Sequence, residues 1–600
     1  MPTTPARTPH SAAGNREALD SPRLPLHAQP LTVPIDVNPD AQLKRASTLL
    51  AEGRLSEALV TLFDAVYVNR SHAALRHLLV DALQGIALGT ASDSVREVLR
   101  DLIIDPGISA QTLAGVVLGL IRGTPAFGEL MRAVQLSADH TAADDLIAAH
   151  PEAARSFMRD DLLLLALPRI IVSDPDVERL LTRLRHDVLL CERAAHDDAI
   201  PLDFVCALAG LGFNEEYAPA WTTAERARVV SLQSALARSL AEPHFEPPSA
   251  TSALALVTMY QPLTSIAGWE RLADVSMAQW PPAFAPIVSD HVHAYREERR
   301  IAAQLPVLTP ITDAVSQLVR EQYEANPYPR WLTLQRPPVT TVSAFIRSLR
   351  PELRKPVKNV QLLIAGCGSG QQALSTAISF SDAQVTAFDL SAASLAYATR
   401  MAARYGVRNV TFGQGDILEF QGHDRHFAIV SCSGVLHHLQ NPLDGWRRLV
   451  DALAPDGVMK IGLYSTLARP SVDAARRFAR DQGFATTDDG IRECRQAILS
   501  LPADHSAHGV VAFVDFFSLS GCRDLVMHVQ ERTYTIAEIR AHLGELGLRF
   551  LGFQLPSAAR ARFAAEHGPS AWQNLKAWAQ FETAHPDTFA AMYQFWCCKR

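Results

Sequence analysis

Three glycines alternate with small residues in Ala365-Gly366-Cys367-Gly368-Ser369-Gly370, directly after the apolar run Val360 to Ile364, and Asp389 follows nineteen residues past Gly370. Where a buried strand turns into a helix through such a loop, missing side chains let backbone N–H groups and the helix N-terminus approach an anionic ligand group. A second apolar run, Gln384 to Phe388, delivers Asp389 at a strand end, where its carboxylate can accept from both ribose hydroxyls. This spacing reads as a nucleotide-cofactor site in one βαβ unit. A loop that merely turns tightly is the alternative.

Further candidate groups cluster around that unit. His437 and His438 come just after the strand-like run Phe427 to Cys432, at the sheet end where open α/β folds bind ligands. One of them serves as base for an acceptor proton, or one packs and the other caps the helix opened by Asn441-Pro442. Tyr323, Tyr328 and Trp331 precede the first strand in a segment that Asn326, Pro327 and Pro329 keep from continuing as helix. They form an aromatic lid able to shelter a cation, or a hydrophobic strap between domains. Arg330 among them is a carboxylate clamp or a surface charge. Arg523, Asp524, His528 and Glu531 share a helix face if that segment is helical, for structural ion pairs or substrate recognition. His528 and Glu531 alone are too few ligands to call a metal site, and no metal is expected.

These residues need a frame. Thr411 to Ile417 and Phe427 to Cys432 read as third and fourth strands, Pro442 to Leu453 as a helix, and Val458 to Tyr464 as a fifth strand after the Asp456-Gly457 turn. Strands alternating with helices predict an α/β fold, a doubly wound, mostly parallel sheet covered on both faces. Leu548 to Phe553 follows as a sixth strand and Met592 to Cys597 as the last.

At these motifs the sequence resembles the class I S-adenosylmethionine-dependent methyltransferases, over about Tyr323 to Arg600. The resemblance implies a seven-stranded Rossmann-like sheet with the last strand antiparallel, and S-adenosyl-L-methionine as cofactor. It places Gly366, Cys367, Gly368 and Gly370 in the cofactor loop, Asp389 and Leu390 at the ribose, and Asp416 and Ile417 at the adenine. Ser433 and the run to His438 fall on the methyl-transfer side, with Tyr323 beside the cofactor. Most such enzymes carry an acid two residues before the first loop glycine. Here that position is Ile364, so another group has to hold the methionyl ammonium. A nicotinamide dehydrogenase fits less well, because its third glycine falls where this chain has Gln371.

The segment Val319 to Trp331, the Val435 to His438 run, and Asp515 to Ser518 leading to Cys522, Arg523, Asp524 and His528 resemble a narrower bacterial group with a tetratricopeptide-like helical region before the methyltransferase domain. Residues 41–315 carry apolar positions three or four apart with almost no strand alternation, and Leu49, Gly53, Ala58, Leu62 and Ala65 have tetratricopeptide spacing. The expected organisation is a disordered tail over 1–40, a helical domain over 41–315, and an α/β domain over 316–600. Within the last, 316–356 is the lid segment and 466–545 a cap insertion. The helical region binds a protein or peptide partner, or only covers the catalytic domain. Phe213 to Tyr217 interrupts an apolar helix and is expected at a helix end or a domain interface.

With 600 residues the chain holds more than one core. A net charge of −7 gives no global footprint for nucleic acid. Its eight cysteines lack paired metal-site spacing, which fits reduced thiols and a cytoplasmic location. No run reaches the roughly twenty apolar residues of a membrane span. The functional expectation is methyl transfer to an unidentified acceptor, a protein, peptide or small metabolite. The alternative is a non-catalytic adaptor that binds the cofactor.

Overall fold

The computed structural model describes residues 38–136, 145–190, 200–325, 327–334, 336–353, 360–422 and 426–600. Asn326 and nearly all of the expected N-terminal tail lie outside them.

From Pro39–Ala51 to Ala294–Ala302 the described residues build helices and short turns of helix. The first pair shows why. The Asn38 side chain accepts from the Asp40 and Ala41 N–H groups and starts Pro39–Ala51. Gly53 then turns the chain at φ +75°, and Leu55–Val68 folds back with Ala58, Leu59, Leu62, Phe63, Ala65 and Val66 buried. The apolar runs at Leu113–Ile121 and Leu162–Leu167 join the same core, which extends to Val292. No single described helix is long and apolar enough to cross a membrane.

The second half is built on a sheet of seven strands: β1 (Gln361–Ala365), β2 (Gln384–Asp389), β3 (Val410–Gln414), β4 (Phe427–Ser433), β5 (Leu453–Leu463), β6 (Leu548–Phe553) and β7 (Tyr593–Lys599). They lie in the order β3-β2-β1-β4-β5-β7-β6. The first five are parallel, and β7 runs antiparallel to both its neighbours, as the expected fold class requires. Strand order reverses between β1 and β4, so a crevice opens above their C-terminal ends. Alternation along the strands feeds two cores: Leu363, Ala365, Val430 and Met459 enter one, Leu362, Ile364, Ile429 and Val458 the other. The linker after the helical half docks on the sheet edge, with Leu308 N–H donating to Gln414 O at 2.7 Å and Gln414 N–H to Pro306 O at 2.8 Å.

Between β5 and β6 an insertion forms its own small core from Val472, Ile491, Ile498, Phe516, Phe517 and Leu525, which Ala218 of the helical half completes. The insertion closes where Tyr534 N–H donates to Tyr464 O at 2.8 Å and Thr466 N–H to Tyr534 O at 2.9 Å. The helix Ile536–Glu545 buries Ile536, Ile539 and Leu543 in the sheet's core, so the cap proper ends before it. Phe213 to Tyr217 is the seam between the halves: Leu519 N–H donates to Glu215 O at 3.1 Å, and Ser520 N–H to the Glu216 carboxylate at 2.6 Å. Across that seam Arg495 forms a buried bidentate pair with Glu178, whose Nη1–Oε1 contact is 2.9 Å.

Candidate active site

β1 ends at Ala365 and the chain turns through the glycine loop into the helix Gln371–Ser379. Gly366 and Cys367 N–H groups both donate to Phe388 O, at 2.9 and 3.0 Å, so the loop is pinned to the end of β2. Gly368 N–H donates to Asp389 Oδ2 at 2.7 Å and Ser391 N–H to Oδ1 at 3.0 Å. Burial pushes the Asp389 carboxyl up and these backbone donors pull it back. Each carboxylate oxygen keeps a lone pair for a further donor.

The glycines do something the spacing alone did not reveal. All three have positive φ, and a Cβ would lie 2.3 Å from Val435 Cγ2 at Gly366, 2.7 Å from Tyr328 O at Gly368 and 2.4 Å from Ala398 Cβ at Gly370. The missing side chains make room for protein. At Gly368 that protein is the lid segment, which Trp331 Nε1–H fastens to Ser369 O at 3.0 Å while Ser369 Oγ–H donates to Pro329 O. Trp331 is therefore a strap across the loop. Burial pushes the Cys367 thiol far up, which suits a packing residue.

Above the loop lies a cavity of about 850 Å³, within the range of ligand sites. Its wall brings together Gly366, Cys367, Gly368, Asp389, Leu390, Asp416, Ile417, Ser433, Tyr323, Tyr328, Trp331, Arg330 and His438. Gln84, Ile86, Gln111, Gly119 and Arg122 of the helical half face them. Five other residues that the sequence marks, Gly370, His437, Arg523, His528 and Glu531, stand outside that wall. Arg330 carries its guanidinium 3.8 Å above the Phe213 ring, so it is a contact between the halves rather than a surface charge. Ser433 Oγ and Gln594 Oε1 are buried, lack a partner, and face the cavity. Orphaned polar atoms of this kind are costly without a ligand. Together with Asp389 they suit a polar nucleoside-type molecule.

The histidines separate by their surroundings. His437 is completely buried, with both ring nitrogens unpartnered and its ring 4.3 Å from that of Tyr464. Burial, reinforced by His438 and nearby arginines, drives it well below the ordinary range, so it is neutral and packed. His438 reaches the cavity. Its Nδ1 lies 2.7 Å from Gln530 O; a carbonyl only accepts, so Nδ1 carries a proton and, in the neutral ring, Nε2 is the acceptor. His528 stacks on His438 with centroids 3.9 Å apart. His528 Nδ1 accepts from Gln530 N–H at 3.0 Å, leaving Nε2–H directed to the Tyr323 hydroxyl at 3.2 Å. Tyr323 in turn donates to Asp524 at 2.7 Å. His438, Asp524 and His528 each offer a ligand atom within 4.8 Å of one another, and Tyr323 already joins two of them.

Two further groups on the cavity wall lie outside the candidate residues that the sequence marks. Asp515 accepts from the Tyr328 hydroxyl at 3.0 Å, and burial together with the neighbouring Asp524 pushes it up to about 6. Lys460 stands inside β5, and burial alone brings its amine down to about 8. The only signal in the sequence is a lysine within the apolar run Val458 to Leu463.

Residues 362–457 match the family model of a methyltransferase domain. This stretch is similar to that family. It contains the glycine loop, Asp389, Asp416 and the histidine pair. Over 258 residues the chain is 30% identical to an uncharacterized protein of Synechococcus sp., covering 40% of this chain and 60% of that one. The chain thus spans about 60% of the length of the curated relative it matches. Among solved structures, PKMT2 from Rickettsia typhi in complex with AdoHcy is 16% identical with a TM-score of 0.35, over 46% of this chain and 55% of that one. Magnesium protoporphyrin IX methyltransferase from Synechocystis PCC 6803 with bound SAH is 14% identical with a TM-score of 0.24, over 52% of this chain and 99% of that one.

Proposed function

We propose that the chain transfers a methyl group from S-adenosylmethionine to an acceptor held between the helical half and the methyltransferase domain. The observation that carries this reading is Asp389 at the end of β2, locked to the glycine loop through Gly368 N–H and facing the cavity with lone pairs to spare. When bound, the cofactor supplies an electrophilic methyl group. Asp389 accepts from the ribose, Asp416 and Ile417 border the base, and Tyr323 and Tyr328 close the wall and exclude water. Orientation and desolvation provide much of the acceleration, roughly 7–11 kcal/mol in favourable cases.

His438 Nε2 takes the acceptor's proton where the acceptor carries one. The bond from Nδ1 to Gln530 O fixes the tautomer that makes this possible, and His437 holds the pair in place by packing.

Because residues of the helical half face the methyltransferase domain across the cavity, the acceptor is a small molecule or a flexible chain segment rather than a folded protein surface. The helical hairpin at Pro39–Val68 supports a tetratricopeptide-like reading of this half, which shapes the acceptor side. Incubation with methyl-labelled S-adenosylmethionine and cell extract, followed by mass identification of labelled species, tests the reading. Label is expected in a discrete product. No label in any fraction, with the cofactor still bound, would favour the adaptor.

A further inference from the structure

Lys460 sits in the parallel part of the sheet with no counter-charge among the described residues. Its partner in register on β4 is Ser431, and Ser431 pairs with Ile364 on β1. Side chains in register share a face of the sheet, so Ile364, Ser431 and Lys460 form one row. The lysine is 5% exposed and lines the cavity. Among the described residues it makes no hydrogen bond or ion pair, and no charged neighbour perturbs it. Its neighbour Ser431 is engaged by the Gln372 amide at 2.8 Å.

One row nearer the C-terminal ends of the parallel strands, Ser433, Gly462 and Gln594 are in register. Here lie the orphaned Ser433 hydroxyl and Gln594 carbonyl oxygen, facing the same cavity. An ammonium withdrawn from water without a counter-ion is expensive, and unpaired acceptors beside it add to the cost. A cation and two acceptors in adjacent rows match a ligand that carries a carboxylate and an ammonium on neighbouring atoms.

We propose that these two rows receive the amino-acid end of the S-adenosyl cofactor, with Lys460 binding the methionyl carboxylate and Ser433 Oγ and Gln594 Oε1 accepting from its ammonium. The inference rests on the cofactor reading of the cavity. Adjacent strands are about 4.8 Å apart, so β5 stands two spacings from β1, and the four-carbon lysine stem can cover more than half of that distance toward the glycine loop. The arrangement also explains Ile364, which is buried where the family resemblance puts an ammonium-binding acid. An acid in that row would pair with Lys460. The grip has passed from the ammonium at β1 to the carboxylate at β5.

Calorimetry of the full chain and of Lys460→Met tests this with three probes: S-adenosylhomocysteine, its decarboxylated analogue, and methylthioadenosine, which lacks the amino-acid end. Methionine keeps the volume and removes a buried charge, and methylthioadenosine binding reports whether the rest of the site is intact. The expected result is S-adenosylhomocysteine weakened by roughly 10- to 100-fold in the variant, the other two probes unchanged, and affinity largely restored in Lys460→Arg. If the variant binds S-adenosylhomocysteine like the wild type, Lys460 does not hold the cofactor and is left to an acidic group of the acceptor. Equal loss of all three probes would make the lysine structural. A wild type that binds none of them would overturn the cofactor reading itself.

Discussion

The Tyr323 hydroxyl donates to Asp524 at 2.7 Å and meets His528 Nε2 at 3.2 Å, although the two partners lie 201 and 205 residues further along the chain. This contact ties the helix Ala314–Ala325, which leads into the sheet, to the cap inserted after β5. Burial and the adjacent Asp524 push the phenol well above its ordinary range, so it remains a donor at any working pH. Tyr323→Phe leaves Asp524 and His528 without that partner. A loss of about 1–3 kcal/mol in unfolding free energy is expected, measured by denaturant titration. An unchanged midpoint would show that water replaces the hydroxyl.

His438 and His437 should differ sharply. If His438 removes a proton in the slow step, His438→Ala loses roughly 10²–10⁴ in turnover with cofactor affinity intact. His437→Ala should act chiefly on stability, because its ring is enclosed and stands off the wall of the cavity that His438 lines. Equal turnover losses in both variants would contradict the assignment.

Asp515 makes stability depend on pH. Its folded-state value of about 6 lies above the roughly 3.9 of an unfolded chain, so between these values the native state keeps a proton that the unfolded chain has lost. The stabilising proton is fully effective below about pH 4 and is lost as pH rises through about 6. Asp515→Asn retains an acceptor for the Tyr328 hydroxyl and removes the charge. It should be more stable than the wild type at pH 8, by an amount on the order of 1–3 kcal/mol, with the gain vanishing near pH 4. Melting curves at the two pH values decide it; a gain of equal size at both would exclude titration as the cause.

The two halves should unfold together, because Arg495 and Glu178 are paired in a buried seam. Removing one partner leaves an uncompensated charge, so Glu178→Ala should cost about 3–5 kcal/mol. Replacing the pair with Met and Leu should recover much of it. Separate melting transitions in the wild type would show that the seam does not couple the halves.

Much of the fold was legible because local pattern and global topology agree. The runs before Gly366, before Asp389 and after Asp456 became β1, β2 and β5 within a residue or two at the site ends, and the antiparallel β7 followed the family resemblance. The local geometry of the candidate site was legible where residues lie in one βαβ unit, as in Gly366 to Gly368 meeting Asp389. It was not where partners come from distant elements. The spacing around the glycines does not reveal Val435, Tyr328 and Ala398 as the atoms that fill their space. His437 and His438 are adjacent in sequence, and only the turn Leu436–His438 sends one inward and the other to the cavity. Arg330 found Phe213 across the domain seam, a contact no local pattern encodes. Lys460 looked like an intruder in a strand because its significance lies in the row it shares with Ser431 and Ile364.

Whether Asp389 and the glycine loop hold an S-adenosyl cofactor is decided by calorimetric titration of the wild type and Asp389→Ala with S-adenosylhomocysteine. One site per chain is predicted for the wild type. The variant should lose two charge-assisted hydrogen bonds at about 1.5–3 kcal/mol each, a weakening of two orders of magnitude or more. No binding by the wild type, or the same affinity in both proteins, would contradict the claim.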